Sequence, residues 1–173
     1  MQTATHSTSA AHRTTASSGG FSPEDGRVLF VCSGGGHLAQ LRQLAPWWSG
    51  RDRAWVTFEL SGASALAGER TYTAFSPTTR NLVNLLRNTR LAWRVLREER
   101  PDVIVSTGAG VAFPFFVLGR ALGVPCAYLE VYDRVDSRTL TGRLCKPFST
   151  LFLLQWESQR QVYGDGTVVG PVY

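Results

Sequence analysis

The sequence lacks paired cysteines and long hydrophobic runs, and it contains a single lysine. Its three cysteines, Cys32, Cys126 and Cys145, are widely spaced and form no C-x-x-C or cysteine–histidine pattern, which argues against a disulfide framework and against a zinc site. The most apolar stretch, residues 111–118, is interrupted by Pro114 and falls well short of the roughly 20 residues that span a bilayer. We therefore predict no bound metal, no membrane-spanning helix and a reducing, cytoplasmic setting.

The positive charge comes almost entirely from arginine: of the 18 basic residues, only Lys146 is a lysine. The formal net charge is +5. Arginine carries a planar fork of donors that suits phosphate groups, but a compositional bias of the genome would give the same excess. Both explanations of the arginine excess stay open at this point. We expect no nucleic-acid partner.

Residues 1–26 are rich in serine, threonine, alanine and glycine and have no continuous apolar core. A secretory signal needs such a core, so we predict a disordered leader in this segment. Residues 27–173 have the length of one ordinary domain.

Short apolar runs alternate with segments of helical spacing in residues 27–173. The run 28–32 contains β-branched residues, as in a strand buried on both faces. Further strands are predicted at residues 54–59, 72–75, 102–106, 126–130, 151–154 and 167–169, and the longest helix at residues 76–100. This alternation predicts an α/β fold with a Rossmann-like parallel sheet and helices on both faces.

The loop after the first predicted strand is the segment SGGGH, formed by Ser33, Gly34, Gly35, Gly36 and His37. Glycines between a strand and a helix let backbone N–H groups bind phosphate. Residues 34–39, GGGHLA, fit G-x-G-x-x-A, and Glu59 near the end of the second predicted strand stands where dinucleotide folds bind ribose. No lysine follows the glycines, which excludes a P-loop. A dinucleotide, another phosphorylated ligand and a tight turn without a ligand all stay open from the loop alone.

His37 favours the second of these ligands. An imidazole in the first turn of a helix can contact phosphate or move a proton, and the helix N-terminus disfavours the protonated ring. A solvent-exposed histidine beside a turn is the alternative.

Four segments in order resemble a known family: VLFVCSGGGHLAQL, PDVIVSTGAGVAFPFFVLGRALGVPCAYLE, RVDSRTLTGRLCKPFSTLFLLQW and VGPVY. They resemble the asparagine-linked glycosylation fourteen family and its bacterial PssD–CpsF relatives, which look like the N-terminal, acceptor half of a MurG-type GT-B glycosyltransferase. The resemblance implies one subunit of a heteromeric, N-acetylglucosaminyltransferase-like enzyme for capsule or exopolysaccharide biosynthesis. It also implies a position on the inner face of the cell membrane.

The resemblance further implies the partners and the site. The acceptor is a lipid-linked saccharide diphosphate, held by Ser33, the three glycines, Thr107, Gly108, Gly110 and Arg134. His37 or Glu130 is the expected catalytic base, although Glu130 could instead pair with Arg134 or cap the next segment. No cofactor is expected on this chain, because the UDP-sugar donor belongs to a separate nucleotide-sugar-binding subunit. The expected docking segment for that subunit is Gly170, Pro171, Val172 and Tyr173, where a fused transferase would continue.

Two departures from the family are visible. Val131 stands where many relatives have serine, and a polar leader replaces the membrane-spanning helix of eukaryotic members. Membrane contact is therefore expected from a surface that carries Trp93, Arg87, Arg90, Arg94 and Arg97, together with the apolar segment VAFPFFVLG at residues 111–119. A solvated arginine face with Trp93 in the core stays open. Two other functions also stay open, a small dinucleotide-binding Rossmann protein and a non-catalytic scaffold for a transferase.

Overall fold

The computed structural model describes residues 26–58 and 65–172. The predicted leader up to residue 25, the acidic residue Glu59 and the last predicted docking residue, Tyr173, lie outside the described residues.

Seven strands in the described part of the chain form one sheet, in which every neighbouring pair is parallel. The sheet order is β3-β2-β1-β4-β5-β6-β7. The strands are β1 (Val28–Val31), β2 (Arg53–Thr57), β3 (Arg70–Thr73), β4 (Val103–Ser106), β5 (Cys126–Leu129), β6 (Leu151–Leu154) and β7 (Thr167–Val168). The predicted Rossmann-like α/β fold is confirmed.

Helices connect most of these strands: α1 (Gly36–Gln43), α2 (Ala45–Trp48), α3 (Leu82–Glu99), α4 (Ala112–Ala121), α5 (Leu140–Cys145) and α6 (Glu157–Tyr163). The helix predicted at residues 76–100 begins later, because the side chain of Asn81 caps it by accepting a hydrogen bond from the backbone N–H of Asn84 at 2.9 Å. Each helix of the described residues is too short or too polar to cross a bilayer.

The central strand β1 is fully buried and contributes to two cores, because its side chains alternate between the faces of the sheet. Leu29 and Val31 belong to the core on the side of α3 and α4, whereas Val28 and Phe30 belong to the core on the side of α1 and α2. Trp55 from β2 stacks on Phe30, with the ring centroids 4.2 Å apart.

The strand order reverses at β1, whose two neighbours are β2 and β4. In open parallel sheets this reversal leaves a crevice at the carboxyl ends of the two diverging strands. The loop after β1, the loop after β4 and the loop after β5 all lie at this edge of the sheet. The fold therefore gathers the segments that the sequence singled out.

A buried amide also shapes this edge from the side of α3. Asn88 is 1% exposed, and its side chain accepts from the backbone N–H of Phe75 and donates to the Phe75 carbonyl oxygen, both at 2.9 Å. These bonds hold the loop before α3, in which Thr78 packs against the second glycine loop, residues 107–110 after β4. A Cβ on Gly110 would lie 2.8 Å from the Cβ of Thr78, so the approach requires glycine.

Candidate functional site

The glycine loop after β1 leads into α1 through a left-handed residue. Gly35 has φ +64°, a conformation that L side chains rarely adopt, and it occupies the N-cap position of α1. Because α1 has no side-chain cap, its first-turn N–H groups are available to an anion. Among the described residues no atom lies within 4 Å of a Cβ built on Gly35 or Gly36, so this side of the loop is open.

His37 and Thr107 join the two glycine loops by exchanging two hydrogen bonds. The Nδ1 atom of His37 lies 3.0 Å from the carbonyl oxygen of Thr107, and the Thr107 hydroxyl donates to the His37 carbonyl oxygen at 3.0 Å. A carbonyl oxygen only accepts, so Nδ1 carries the proton and the neutral ring keeps its lone pair on Nε2. The loop therefore fixes both the orientation and the tautomer of His37.

Burial lowers the pKa of His37 below the usual value of 6.5. Its hydrogen bond to the Thr107 carbonyl and the nearby carboxylate of Asp133 act in the opposite direction, but the net change is a decrease. The ring is therefore neutral at pH 7, and Nε2 can accept a proton.

Gly108 allows the second glycine loop to approach the histidine. It has φ +115°, and a Cβ there would lie 2.8 Å from the hydroxyl oxygen of Tyr128 and 3.3 Å from Cε1 of His37. The hydroxyl of Ser106 accepts a hydrogen bond from the Gly108 N–H at 2.9 Å and holds this turn. Any side chain at Gly108 would push the two loops apart.

A cavity of about 200 Å³ opens beside His37. It is lined by His37, Ala109, Tyr128, Val131, Asp133, Arg134, Thr139 and Thr141. The structure therefore brings His37 and Arg134 together at one cavity. Thr107 and Gly108 support His37 from behind, and residues 33–36 form the loop that leads to it.

Glu130 lies behind the cavity wall. It is fully buried, and its carboxylate accepts hydrogen bonds from the hydroxyls of Tyr163 and Thr139 and from the backbone N–H of Val131. Burial raises the pKa of Glu130, and these donors partly oppose the increase. Its carboxylate is bonded to hydroxyl groups here rather than to the guanidinium of Arg134, and its role as a base stays a prediction.

Thr139 connects the buried carboxylate to the next helix. Its hydroxyl donates to Glu130 and accepts from the backbone N–H of Gly142 at 2.9 Å, which caps α5. A Cβ on Gly142 would lie 2.4 Å from Oε2 of Glu130 and 2.5 Å from the Tyr163 hydroxyl oxygen. The predicted capping of the next segment thus runs through a threonine, and the need for glycine at 142 was missed.

Side chains that follow β6 hold the backbone of the loop that lines the cavity. The amide of Gln159 donates to the carbonyl oxygens of Val131 and Arg134, both at 3.0 Å, and the indole N–H of Trp156 donates to the Tyr132 carbonyl oxygen at 2.7 Å. Sequence reasoning missed these residues, although the glutamines at 155 and 159, shortly after an apolar strand, are a usable signal.

The predicted docking and membrane residues lie outside the cavity lining. Val172 follows β7 with Gly170 and Pro171, and its backbone contacts buried side chains of this edge. The four arginines of α3 are exposed, and the alternative with Trp93 in the core is wrong, because that ring is 44% exposed and the Arg97 guanidinium lies 4.7 Å from its centroid. Leu82, Val83 and Leu86 of the same helix are also exposed.

The prediction that the apolar segment 111–119 belongs to the membrane surface is wrong. Val111, Ala112, Phe115 and Phe116 are fully buried in the core on the side of α3 and α4.

Comparison with known proteins gives consistent matches, although no family model matches the chain. It is 35% identical over 77 residues to the UDP-N-acetylglucosamine transferase subunit alg14 of Schizosaccharomyces pombe, which covers 42% of this chain and 37% of that protein. The chain is similar to ALG14 subunits. It is also 27% identical over 79 residues to the ALG14 subunit of Mus musculus, covering 42% of this chain and 36% of that one. The matches thus span little more than a third of these relatives.

Solved structures identify the fold. MurG of Acinetobacter baumannii superposes with a TM-score of 0.66 at 19% identity, covering 84% of this chain and 45% of that one. A UDP-GlcNAc 2-epimerase of Methanocaldococcus jannaschii superposes with a TM-score of 0.62 at 15% identity, covering 78% and 41%. The chain has the Rossmann-like fold of one GT-B half-domain, as the resemblance implied.

Replacing Asp133 with asparagine is expected to lower the pKa of His37 further, because the Asp133 carboxylate stabilises the imidazolium form. An NMR pH titration of the histidine ring protons measures the change, and a His37→Gln spectrum assigns the signals. Asp136→Asn removes an exposed acid from the same loop and is the matched control. Equal changes in the two variants would contradict the contact.

Replacing Thr139 with valine is expected to lower the free energy of unfolding by about 2 kcal/mol or more, because the buried carboxylate and the α5 N-terminus both lose a partner. Thr139→Ser keeps the hydroxyl and should cost less than about 1 kcal/mol. Urea unfolding of the two variants measures the difference. Equal losses in the two variants would contradict the assignment of this stabilisation to the Thr139 hydroxyl.

Proposed function

We propose that this protein is the acceptor-binding subunit of a two-component glycosyltransferase. The observation that carries the proposal is the neutral His37 at the cavity, with Nδ1 bound to the Thr107 carbonyl and Nε2 left as a proton acceptor. Similarity to subunits named for UDP-N-acetylglucosamine transfer supports this class of reaction and makes that sugar nucleotide the first donor to test.

The acceptor that suits this edge is a lipid-linked saccharide diphosphate. The uncapped N-terminus of α1 and the open side of Gly35 and Gly36 offer backbone N–H groups to phosphate oxygens. Arg134 adds a guanidinium at the cavity, which suits a charged diphosphate. The saccharide would then lie toward His37.

The reaction is a displacement at the anomeric carbon of the donor. A hydroxyl of the acceptor forms the new glycosidic bond, the bond between the sugar and UDP breaks, and UDP leaves with the electron pair. His37 takes the hydroxyl proton at Nε2. Glu130 supports the site by holding Thr139 at the cavity wall.

The donor and its nucleotide site belong to a separate partner subunit, for which residues 170–173 are the proposed docking segment. We place the complex on the inner membrane face, in polysaccharide biosynthesis. The membrane surface is the exposed part of α3, where Leu82, Leu86 and Trp93 accompany the four arginines.

Removal of the base tests the proposal in the complex of this chain with the partner subunit, assayed with UDP-N-acetylglucosamine and a lipid-diphosphate saccharide. His37→Gln should reduce kcat about 10²–10⁴-fold while the complex still forms in gel filtration. In the wild type, activity should fall on acidification only below pH 6.5, because burial lowers the pKa of His37 and the neutral ring is the active form.

Asp136→Asn is the control for this assay, since Asp136 lies outside the cavity lining. Full turnover of His37→Gln in an intact complex would contradict the assignment and favour the scaffold function. Tight binding of NAD(P)H to the isolated chain would favour the dinucleotide-binding alternative instead.

Membrane binding is tested separately by co-sedimentation with vesicles of phosphatidylglycerol and of phosphatidylcholine. The double variant Arg90→Gln and Arg94→Gln should weaken binding to the anionic vesicles by about tenfold or more, since each basic residue near an anionic surface contributes about 1 kcal/mol. The pair Arg42→Gln and Arg160→Gln, on two other helices, is the charge-matched control. Equal weakening by both pairs would exclude α3 as a specific membrane surface.

A further inference from the structure

We propose that Gln40 and Gln155 are positioning residues that couple the C-terminal segment 169–172 to the two sides of the cavity. The biological meaning of the coupling rests on the proposed function, in which a partner subunit docks on this segment. The coupling itself is carried by hydrogen bonds of buried side chains.

Gln155 forms the first connection. It is 1% exposed at the end of β6, its Oε1 accepts from the backbone N–H of Val172 at 2.7 Å, and its Nε2 donates to the carbonyl oxygen of Glu130 at 2.7 Å. One rigid amide thus joins the C-terminal segment to the loop whose Val131, Asp133 and Arg134 line the cavity.

Gln40 forms the second connection from the opposite side. It is 3% exposed on α1, and its Nε2 donates to the carbonyl oxygen of Val172 at 3.3 Å. His37 lies three residues earlier on the same helix, so the two side chains are neighbours along one face. Both backbone polar groups of Val172 are therefore held by amides that lead to different walls of the cavity.

Displacement of Val172 would act on both walls. A buried amide left without a hydrogen-bond partner lowers the stability of the folded state. Gln40 and Gln155 would therefore either move with Val172 or lose their hydrogen bonds to it. Movement of Gln40 is transmitted to His37 because both belong to α1, and movement of Gln155 reaches the Glu130 carbonyl directly. If these hydrogen bonds only stabilised the fold, losing them would lower the free energy of unfolding, and the His37 ring would not respond to changes in the C-terminal segment.

The test is a double-mutant cycle read at the His37 ring by NMR, in the isolated chain. Ending the chain at Gly170 removes Val172, and Gln40→Met removes its amide partner; each should shift the His37 ring signals, and the combination should shift them no further than one change alone. Gln43→Met, at the exposed end of the same helix, is the matched control and should add to the truncation independently.

Gln155→Glu separates the two connections, because the carboxylate still accepts from Val172 but can no longer donate to the Glu130 carbonyl. It should shift the backbone signals of residues 130–134 and leave the effect of truncation on His37 in place. Gln40→Glu replaces Gln40→Met if the latter variant does not fold.

The second readout uses the reconstituted complex. Gln40→Met and Gln155→Glu should each lower kcat about tenfold or more with the affinity for the partner within about twofold of the wild type, as expected for misplacement of the reacting groups. Additive effects at His37, or unchanged kcat with lower stability alone, would overturn the proposal. The NMR cycle needs no transferase activity, so it stands or falls independently of the proposed function.

Discussion

The exchange of hydrogen bonds between His37 and Thr107 is the contact on which this edge of the molecule depends. It joins the loop after β1 to the loop after β4 across the point where the strand order reverses. The strand-order reversal alone gives only an open crevice at the sheet edge. Here the two loops contact each other through His37 and Thr107, and the cavity lies beside His37. Gly108 is the geometric condition for that closure, because the Tyr128 hydroxyl and the His37 ring lie where a side chain would begin.

The loop after β5, which forms the remaining side of the cavity, depends on buried polar groups rather than on regular structure. Residues 131–138 form neither helix nor strand, and backbone groups at the edge of a core need partners. They find them in the side chains of Trp156, just after β6, and Gln159 on α6, while Gln155 holds the Glu130 carbonyl where the loop begins. Glu130 also fixes the far end of the loop through Thr139. Removing a buried carboxylate from water is costly, and three donors around Glu130 offset that cost locally. The wall is therefore held at both of its ends.

The fold and the glycine loops could be predicted because their signals are local. A buried strand such as β1 appears as a continuous apolar run, and Pro101 marks the end of the longest helix. The partners of Glu130 could not be predicted, since Tyr163 is 33 residues away and reaches the carboxylate through the packing of α6. The exposure of Trp93 was equally hidden, because helical spacing alone does not show which apolar residues a three-layer fold leaves uncovered. The residues that hold the site together are thus less visible in the sequence than those that face its cavity.

Under the proposed function, the bond from Nδ1 of His37 to a carbonyl oxygen has a consequence for repeated turnover. A ring that has taken a proton at Nε2 keeps both nitrogens protonated, and the carbonyl cannot remove either proton. The ring must discharge to water before another acceptor is bound. Burial lowers the pKa of the ring, so loss of the second proton to water at neutral pH is favourable. The burial that keeps His37 neutral before the reaction would also favour its return to the neutral form afterwards.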